Sequence, residues 1–328
     1  MLKVGKVPEN VLKRSIIKQI KTKRSEIIVG AGVGEDCAAI ELADDEIFVT
    51  STDPITGTSH DIGALSVHVT ANDIASSGAE VIGVMLSILL PEGSEESELK
   101  DIMSQVEEVC SRLNIQTVGG HTEVTRVVNQ PVITVTGIGK VKKDKLVTTS
   151  GAKPGDDIVV TKWIGLEGTS IIAKEKAGTL ENHFSSDFID TAKGFSSYLS
   201  VVADAHIATE VGVTSMHDVT EGGIFGALWE IAESSKVGLE VNLRDIPVRQ
   251  ETIEICEEFG LNPYELISSG AMLITTPKGS QLVSELTKAQ IGGAVIGKIT
   301  KGNDRIIING DEKRFLEPPK SDELYKIY

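Results

Sequence analysis

Cysteine, basic charge and long apolar runs are all scarce in this 328-residue sequence, and each scarcity excludes something. The three cysteines, Cys37, Cys110 and Cys256, are odd in number, far apart and without a CxxC pair. That argues against a disulfide framework and a structural zinc site, and it fits a reduced cytosol. Histidine offers zinc no better prospect, because His60, His68, His121, His183, His206 and His217 show no HExxH or comparable spacing. Lys and Arg total 32 against 48 Asp and Glu, a net charge of -16 that repels phosphate backbones and anionic membranes. No nucleic-acid partner is expected. The longest apolar run, VIGVMLSILLP, is too short to cross a bilayer, and the N-terminus is charged from Lys3 onward, so a soluble cytoplasmic protein is expected. The acidic balance does permit a nucleotide carried as its magnesium complex, because the metal supplies positive charge that the protein lacks.

The length suggests two domains. ENVLKRSIIKQI puts Val11, Leu12, Ile16 and Ile20 on one side and reads as an amphipathic helix. The runs EIFVTST, VIGVMLSIL and VITVTGIGKV read as strands, separated by a helix through ANDIASSGA and another through SELKDIMSQVEEVCSRL. TTSGAKPGDDIVVT, with Gly151, Pro154 and Gly155, marks a boundary near residue 150, giving domains 1–150 and 151–328. In the second half, helices are expected around SSDFIDTAKGFSSYLSVVADA and GGIFGALWEIAESS, and strands at AMLITT and AVIGKI. No internal repeat or low-complexity tract is present.

Between Ile62 and Ala79 there is no Lys, Arg, Glu or Gln, the residues that normally solvate an exposed helix face. A helix covered on most sides follows. At helical spacing Ser66, Thr70, Asp73 and Ser77 form a stripe of small polar groups beside an apolar stripe of Val67, Ala71, Ile74 and Gly78. Asp73, next to Asn72, is the one charge in that stripe, and a covered carboxylate costs several kcal/mol unless donors or a cation compensate it.

Other polar motifs sit at element boundaries, each with a plain structural account beside the functional one. GVGEDCAAI places Glu35 and Asp36 after a glycine-rich turn, as any acidic turn would. STDP ends a strand with Asp53 before Pro54. VGGHTEVT places Gly119, Gly120, His121 and Thr122 at a strand end, where backbone N–H groups approach an anion, or in a glycine-permitted bulge. In MHDVTEGGIFGALWE, Asp218 and Glu221 have capping-box spacing, and Gly222 and Gly223 precede a helix N-terminus that also suits an anion. WIGLEGTS, with Gly165, Gly168 and Thr169, reads as one more flexible polar loop. Several Asp residues with few basic groups fit magnesium on a polyphosphate.

The order GEDCAAI, STDP, VTANDIASSGAE, VGGHTEVT, SGAKPGDDIVVT and HDVTEGGIFGALWEIA resembles the AIR synthase-related superfamily along nearly the whole chain. ANDIASSGA and HDVTEGGIFGAL most resemble its hydrogenase-maturation carbamoyl dehydratase branch. The resemblance implies an α/β N-terminal domain that forms a barrel across a homodimer, an α+β C-terminal domain, and ATP with magnesium as ligands. Carried over residue by residue, it implies metal ligation by Asp36, Asp53, Asp73 and Asp218. It implies nucleotide contact by Asn72, Asp73, Gly119, Gly120, His121, Thr122, Gly222 and Gly223. Two departures stand out: Glu35 and His121 occupy positions where thiamine-monophosphate kinase has Asp. The sequence also ends SDELYKIY, with no cysteine after Cys256, where the dehydratase carries its carbamoyl group on a terminal Pro-Arg-Ile-Cys.

These features lead to an ATP- and magnesium-dependent enzyme that transfers the γ-phosphoryl group to an oxygen of an external acceptor, small or protein-borne. The alternatives are a nucleotide-binding partner of a maturation factor and a small-molecule kinase of the thiamine-monophosphate type.

Overall fold

The computed structural model describes residues 2, 4–32, 37–56, 61–318 and 321–327, and the chain forms two compact units, 1–74 with 79–146 and 75–78 with 147–328. The first unit contains β1 (Gly5–Lys6), α1 (Glu9–Leu12), β2 (Ile27–Val29), β3 (Ala39–Ile40), β4 (Glu46–Ile55), α2 (Ile62–Ser76), β5 (Glu80–Pro91), α3 (Glu96–Leu113), β6 (Gln116–Thr125) and β7 (Val132–Lys142). Its main sheet runs β1-β6-β5-β7-β4, with β5 and β6 parallel across the α3 crossover and the other pairs antiparallel. β2 and β3 form a separate ribbon.

The covered helix is α2. Val67, Ala71, Asn72 and Ile74 have no exposed area. Two strand glycines let it approach the sheet: a Cβ on Gly137 would sit 2.6 Å from Thr70 Cγ2, and one on Gly139 would sit 2.4 Å from Ile74 Cγ2. α3 is amphipathic, burying Leu99, Ile102, Met103, Val106, Val109 and Cys110, with a capping box of Glu95 and Glu98 at its start and left-handed Asn114 at its end.

Three local expectations are corrected. The N-terminal helix is only the short α1, continued by a π-helical turn at Lys13–Ile17. β4 does not stop at Asp53; Pro54 pairs with Thr134, tolerated because β4 is an edge strand whose other side makes no ladder among the described residues. VGGHTEVT is not a strand end but most of β6, with the bulge at Val118, where the partner of Val84 is Thr117 and that of Met85 is Gly119. VITVTGIGKV is β7 and, as expected, a strand, with both edges paired, to β5 and β4.

The second unit contains β8 (Asp157–Thr161), α4 (Leu166–Glu175), α5 (Ala177–Leu180), α6 (Ser186–Lys193), α7 (Val202–Val211), β9 (Ser215–Asp218), α8 (Gly223–Ser235), β10 (Gly238–Asn242), α9 (Gln250–Phe259), β11 (Met272–Thr276), α10 (Gly279–Lys288), β12 (Gly293–Thr300), β13 (Arg305–Asn309) and β14 (Glu312–Phe315). The sheet order is β14-β13-β10-β12-β8-β11-β9. Alternation along β8 divides its core: Ile158 and Val160 pack with Leu228 and Ile231 of α8, and Val159 packs with Ala205 of α7 and Leu282 of α10. A third cluster joins Ile172, Ile189, Ile255 and Leu266 to Leu324 near the end of the chain.

WIGLEGTS is also corrected. α4 starts inside it, after left-handed Gly165 (φ 67°). Its glycines serve close packing rather than flexibility, since a Cβ on Gly168 would lie 2.5 Å from Leu266 Cγ. Among the described residues no helix is long and apolar enough to cross a membrane.

Candidate functional site

Ser51 and Asp53 lie two apart on β4, so their side chains share the face that α2 packs against. The Ser51 hydroxyl donates to Asp73 Oδ2 at 2.5 Å and lies 3.4 Å from Asp53 Oδ2. A strand carboxylate and a helix carboxylate are thus gathered around one hydroxyl, with buried Asn72 beside them. Asp73 is half-buried. Two carboxylates and a hydroxyl are hard oxygen donors of the kind magnesium takes together with phosphate oxygens and water. Asp36 and Glu35 lie outside the described residues, and among the described residues no group of three or more His, Cys, Asp or Glu side chains gathers as a metal site.

The strand register divides the GGHT segment. His121 is level with Ser87, Thr134 and Pro54, and Gly119 with Met85, Thr136 and Thr52. These rows face away from α2 and line a 340 Å³ pocket that Cys37 also borders. Gly120 and Thr122 belong to the alternate rows. All four residues nonetheless border a second, 70 Å³ pocket together with Leu12, Ile16 and Met103. Gly120 is conformationally required: its φ is 151°, and a Cβ there would lie 2.1 Å from the Leu86 carbonyl oxygen. His121 Nε2 is 3.1 Å from Glu123 Oε2, its neighbour on the same face.

In the second unit Asp218 is buried at the end of β9, opposite Met272, and does not cap a helix. The expected capping box with Glu221 is absent because left-handed Gly222 (φ 78°) and Gly223 (φ 58°) turn the chain first, so that α8 begins at Gly223. Gly223 is needed there, since a Cβ would meet the Tyr264 carbonyl oxygen at 2.6 Å. The Gly222 N–H, a candidate donor to a ligand anion, is taken by Asp322 Oδ2 at 2.7 Å.

Glu167 was not singled out in the sequence. It sits in the first turn of α4, 4 % exposed, with Oε2 accepting from the Ser269 N–H at 3.3 Å. Burial pushes its carboxyl up to about 7, with Glu221 and Asp322 adding to the rise. The signal available was an acidic residue one position into a helix after a glycine cap, hidden by reading the glycines as a loop.

Residues 34–141 match the AIR synthase related protein N-terminal domain and residues 153–309 match its C-terminal domain. The chain belongs to the AIR synthase related protein family. Among its relatives, MJ0676 of Methanocaldococcus jannaschii, a protein named for hydrogenase expression/formation, is 27% identical over 332 residues, covering 98% of this chain and 97% of that protein. The carbamoyl dehydratase HypE of Cupriavidus necator is 30% identical over 247 residues, 73% of this chain and 68% of that one. The crystal structure of hydrogenase maturation protein HypE in complex with ATP aligns with a TM-score of 0.81 at 22% identity, covering 98% of this chain and 97% of that one. This likeness establishes the AIR synthase-like fold: an α/β first domain followed by an α+β second.

Proposed function

We propose that this protein is an ATP- and magnesium-dependent enzyme that transfers the γ-phosphoryl group of ATP to an oxygen of an acceptor of amide or carbonyl type. The observation that carries the reading is the pairing of Asp53 and Asp73 around Ser51. The ATP complex of HypE and the dehydratase name of the Cupriavidus relative support it. Within the first unit Asp53 and Asp73 would hold the metal, and a role for Asp36 or Asp218 rests on family resemblance alone. Bound magnesium would neutralise charge on the transferred phosphoryl group. The chain's own work is positioning: Ser51 fixes the rotamer of Asp73, and burial of α2 holds Asn72 and Asp73 in place. Gly119, Gly120, His121 and Thr122, with Gly222 and Gly223, are assigned to the nucleotide on family resemblance.

ATP consumption measured with magnesium against a panel of carbamoyl, amide and phosphorylated metabolites tests this reading. Turnover should rise with one acceptor class and fall at least 100-fold in Asp73→Asn. Turnover that survives in Asp73→Asn would place the activity elsewhere.

The hydrogenase-maturation names of the relatives favour a second reading, a nucleotide-binding partner protein whose output is a conformational state. Turnover separates the two. In this second case hydrolysis stays at background with every acceptor while ATP changes affinity for a partner protein.

A further inference from the structure

The second unit contains a 430 Å³ cavity beside Gly222, and its walls follow from strand register. β14 turns back on β13 so that Arg314 lies opposite Ile307 and Phe315 opposite Ile306. Cross-strand partners share a sheet face, which puts Arg314 on the side where Ile307 packs in one cluster with Phe225 of α8. Ile307 and Phe225, 1 % and 6 % exposed, form an apolar floor. Phe315 borders the same cavity with 69 % of its surface exposed.

A second ring holds Phe225 in place. It stacks on Tyr264 with 5.3 Å between centroids and 12° between planes, and the Arg314 guanidinium carbon lies 5.5 Å from its centroid. Among the described residues the Arg314 side chain makes no hydrogen bond or ion pair beyond that ring contact. Glu265, half-buried in the loop that follows α9, borders the cavity too. Its carboxylate likewise has no hydrogen bond or ion pair among the described residues, with Arg314 or with any other group.

A guanidinium and a carboxylate that border one cavity without meeting leave a donor and an acceptor for a third party. Few polar groups over an apolar, aromatic floor are the composition of a small-molecule pocket, and the volume lies in the usual range of about 300–1,000 Å³. Arg314 suits one acidic group, which its planar fork can grip. The Gly222 N–H does not compete for that group, because Asp322 Oδ2 accepts it at 2.7 Å. Glu265 suits an N–H donor, and Glu317 at the rim would repel a second acidic group. The exposed ring of Phe315 suits a flat partner.

We propose that this cavity binds an amino-substituted aromatic acid, its ring against Phe315 and the apolar floor, its acidic group on Arg314 and its amine on Glu265. The site lies within the second unit and is independent of the phosphoryl-transfer reading.

The probe is 5-aminonaphthalene-1-sulfonate, whose own fluorescence reports binding, titrated into the full chain at about pH 8 without nucleotide. One equivalent should bind saturably with a dissociation constant below about 1 mM, the level that about 15 non-hydrogen atoms reach at ordinary ligand efficiency. Naphthalene-1-sulfonate, which lacks the amine, and 1-aminonaphthalene, which lacks the sulfonate, should each bind about tenfold more weakly. Arg314 and Phe315 are exposed and Glu265 is half-buried, so substitutions there leave the core intact. Arg314→Gln should erase the preference for the sulfonate alone, and Glu265→Gln the preference for the amine alone. Phe315→Ser should weaken all three ligands about fivefold. Asp73→Asn should bind the probe as the parent does, which separates this site from the phosphoryl-transfer site. No saturable binding up to about 5 mM, full sulfonate preference in Arg314→Gln, full amine preference in Glu265→Gln, unchanged affinity in Phe315→Ser, or loss of binding in Asp73→Asn would each overturn the assignment.

Discussion

Ser51 of β4 and Asp73 of α2 are joined by a 2.5 Å hydrogen bond that ties the edge strand to the helix beneath it. The bond orients one carboxylate oxygen and leaves the half-buried group facing Asp53. Removing the hydroxyl in Ser51→Ala should cost about 1.5 kcal/mol, the size typical of a hydrogen bond to a charged acceptor. ATP with magnesium at about 100 times its dissociation constant should stabilise the parent by about 2.7 kcal/mol, and Asp73→Asn should abolish most of that gain. Thermal melts with and without ligand check both. A full ligand response in Asp73→Asn would remove Asp73 from the site.

The acid limb of stability should report Glu26. Hydrogen bonds from Arg24 and then Lys140 outweigh partial burial and hold its carboxyl down at about 2. A depressed carboxylate contributes stability that is complete above its ordinary value near 4.5 and is lost as pH falls through about 2. Glu26→Gln should therefore lower the melting temperature at pH 6 and flatten its pH dependence between 4.5 and 2. Parallel curves for the two proteins in that window would show that the ion pairs are not responsible.

Much of the fold was legible because its strongest signals are local. The absence of long polar side chains from Ile62 to Ala79 reports a helix with Asn72 and Ile74 wholly enclosed, and alternation marks β4, β5 and β7. What stayed hidden depends on partners distant in sequence. Gly119 and Gly120 resemble a loop until β5 is placed alongside them, and Pro54 resembles a stop until β4 proves to be an edge. Gly165 and Gly168 resemble flexibility until Thr252 and Leu266 are seen to fill the space a Cβ would take.

The candidate site was legible in its residue types more than in its grouping. Asp53 and Asp73 both approach one hydroxyl, that of Ser51, which opens the STDP motif in which Asp53 alone reads as functional. Glu167 and the Ser269 N–H from which it accepts are 102 positions apart, and their hydrogen bond appears only after folding.

The thiols should divide sharply in reactivity. Burial pushes Cys110 and Cys256 up to about 12, whereas Cys37 is exposed beside the pocket that contains His121. Iodoacetamide should alkylate Cys37 in the native protein and reach the other two only after denaturation, as read by peptide mass spectrometry. Rapid native labelling of Cys110 would contradict the packing of α3 on β6.

A buried ion pair in the second unit sets a larger stake. Lys162, in a left-handed conformation at φ 54°, donates to Asp204 Oδ1 at 2.6 Å and to the carbonyls of Ser200 and Gly270 at 3.0 and 2.7 Å. Lys162→Met would strand the buried carboxylate and should cost about 3–5 kcal/mol in denaturant unfolding. Adding Asp204→Leu should recover part of the loss. No recovery in the double variant would mean that the carbonyl contacts, rather than the stranded charge, dominate.

Self-association of the first unit is the remaining expectation, implied by the family resemblance. With both edges of β7 paired, the open features among the described residues of the first unit include the outer edge of β4 and the sheet face away from α2. The β2–β3 ribbon packs Ile27 and Ile40 over one end of that face, against Ile82 and Val118. The rest presents Thr52, Thr136 and Ser87, and Phe48 at the edge is 50% exposed. A ten-residue edge strand with an exposed Phe is a pairing hazard unless something occupies it, and a second copy meeting it across a two-fold axis would do so. Light scattering at low micromolar concentration should give twice the chain mass. Phe48→Glu should return the mass to that of one chain while moving the intrinsic stability of the unit by no more than about 0.5 kcal/mol, as for other surface substitutions. A parent that scatters as a single chain would remove this role for the β4 edge. A Phe48→Glu variant that remains paired would shift the interface from that edge to the face carrying Thr52 and Thr136.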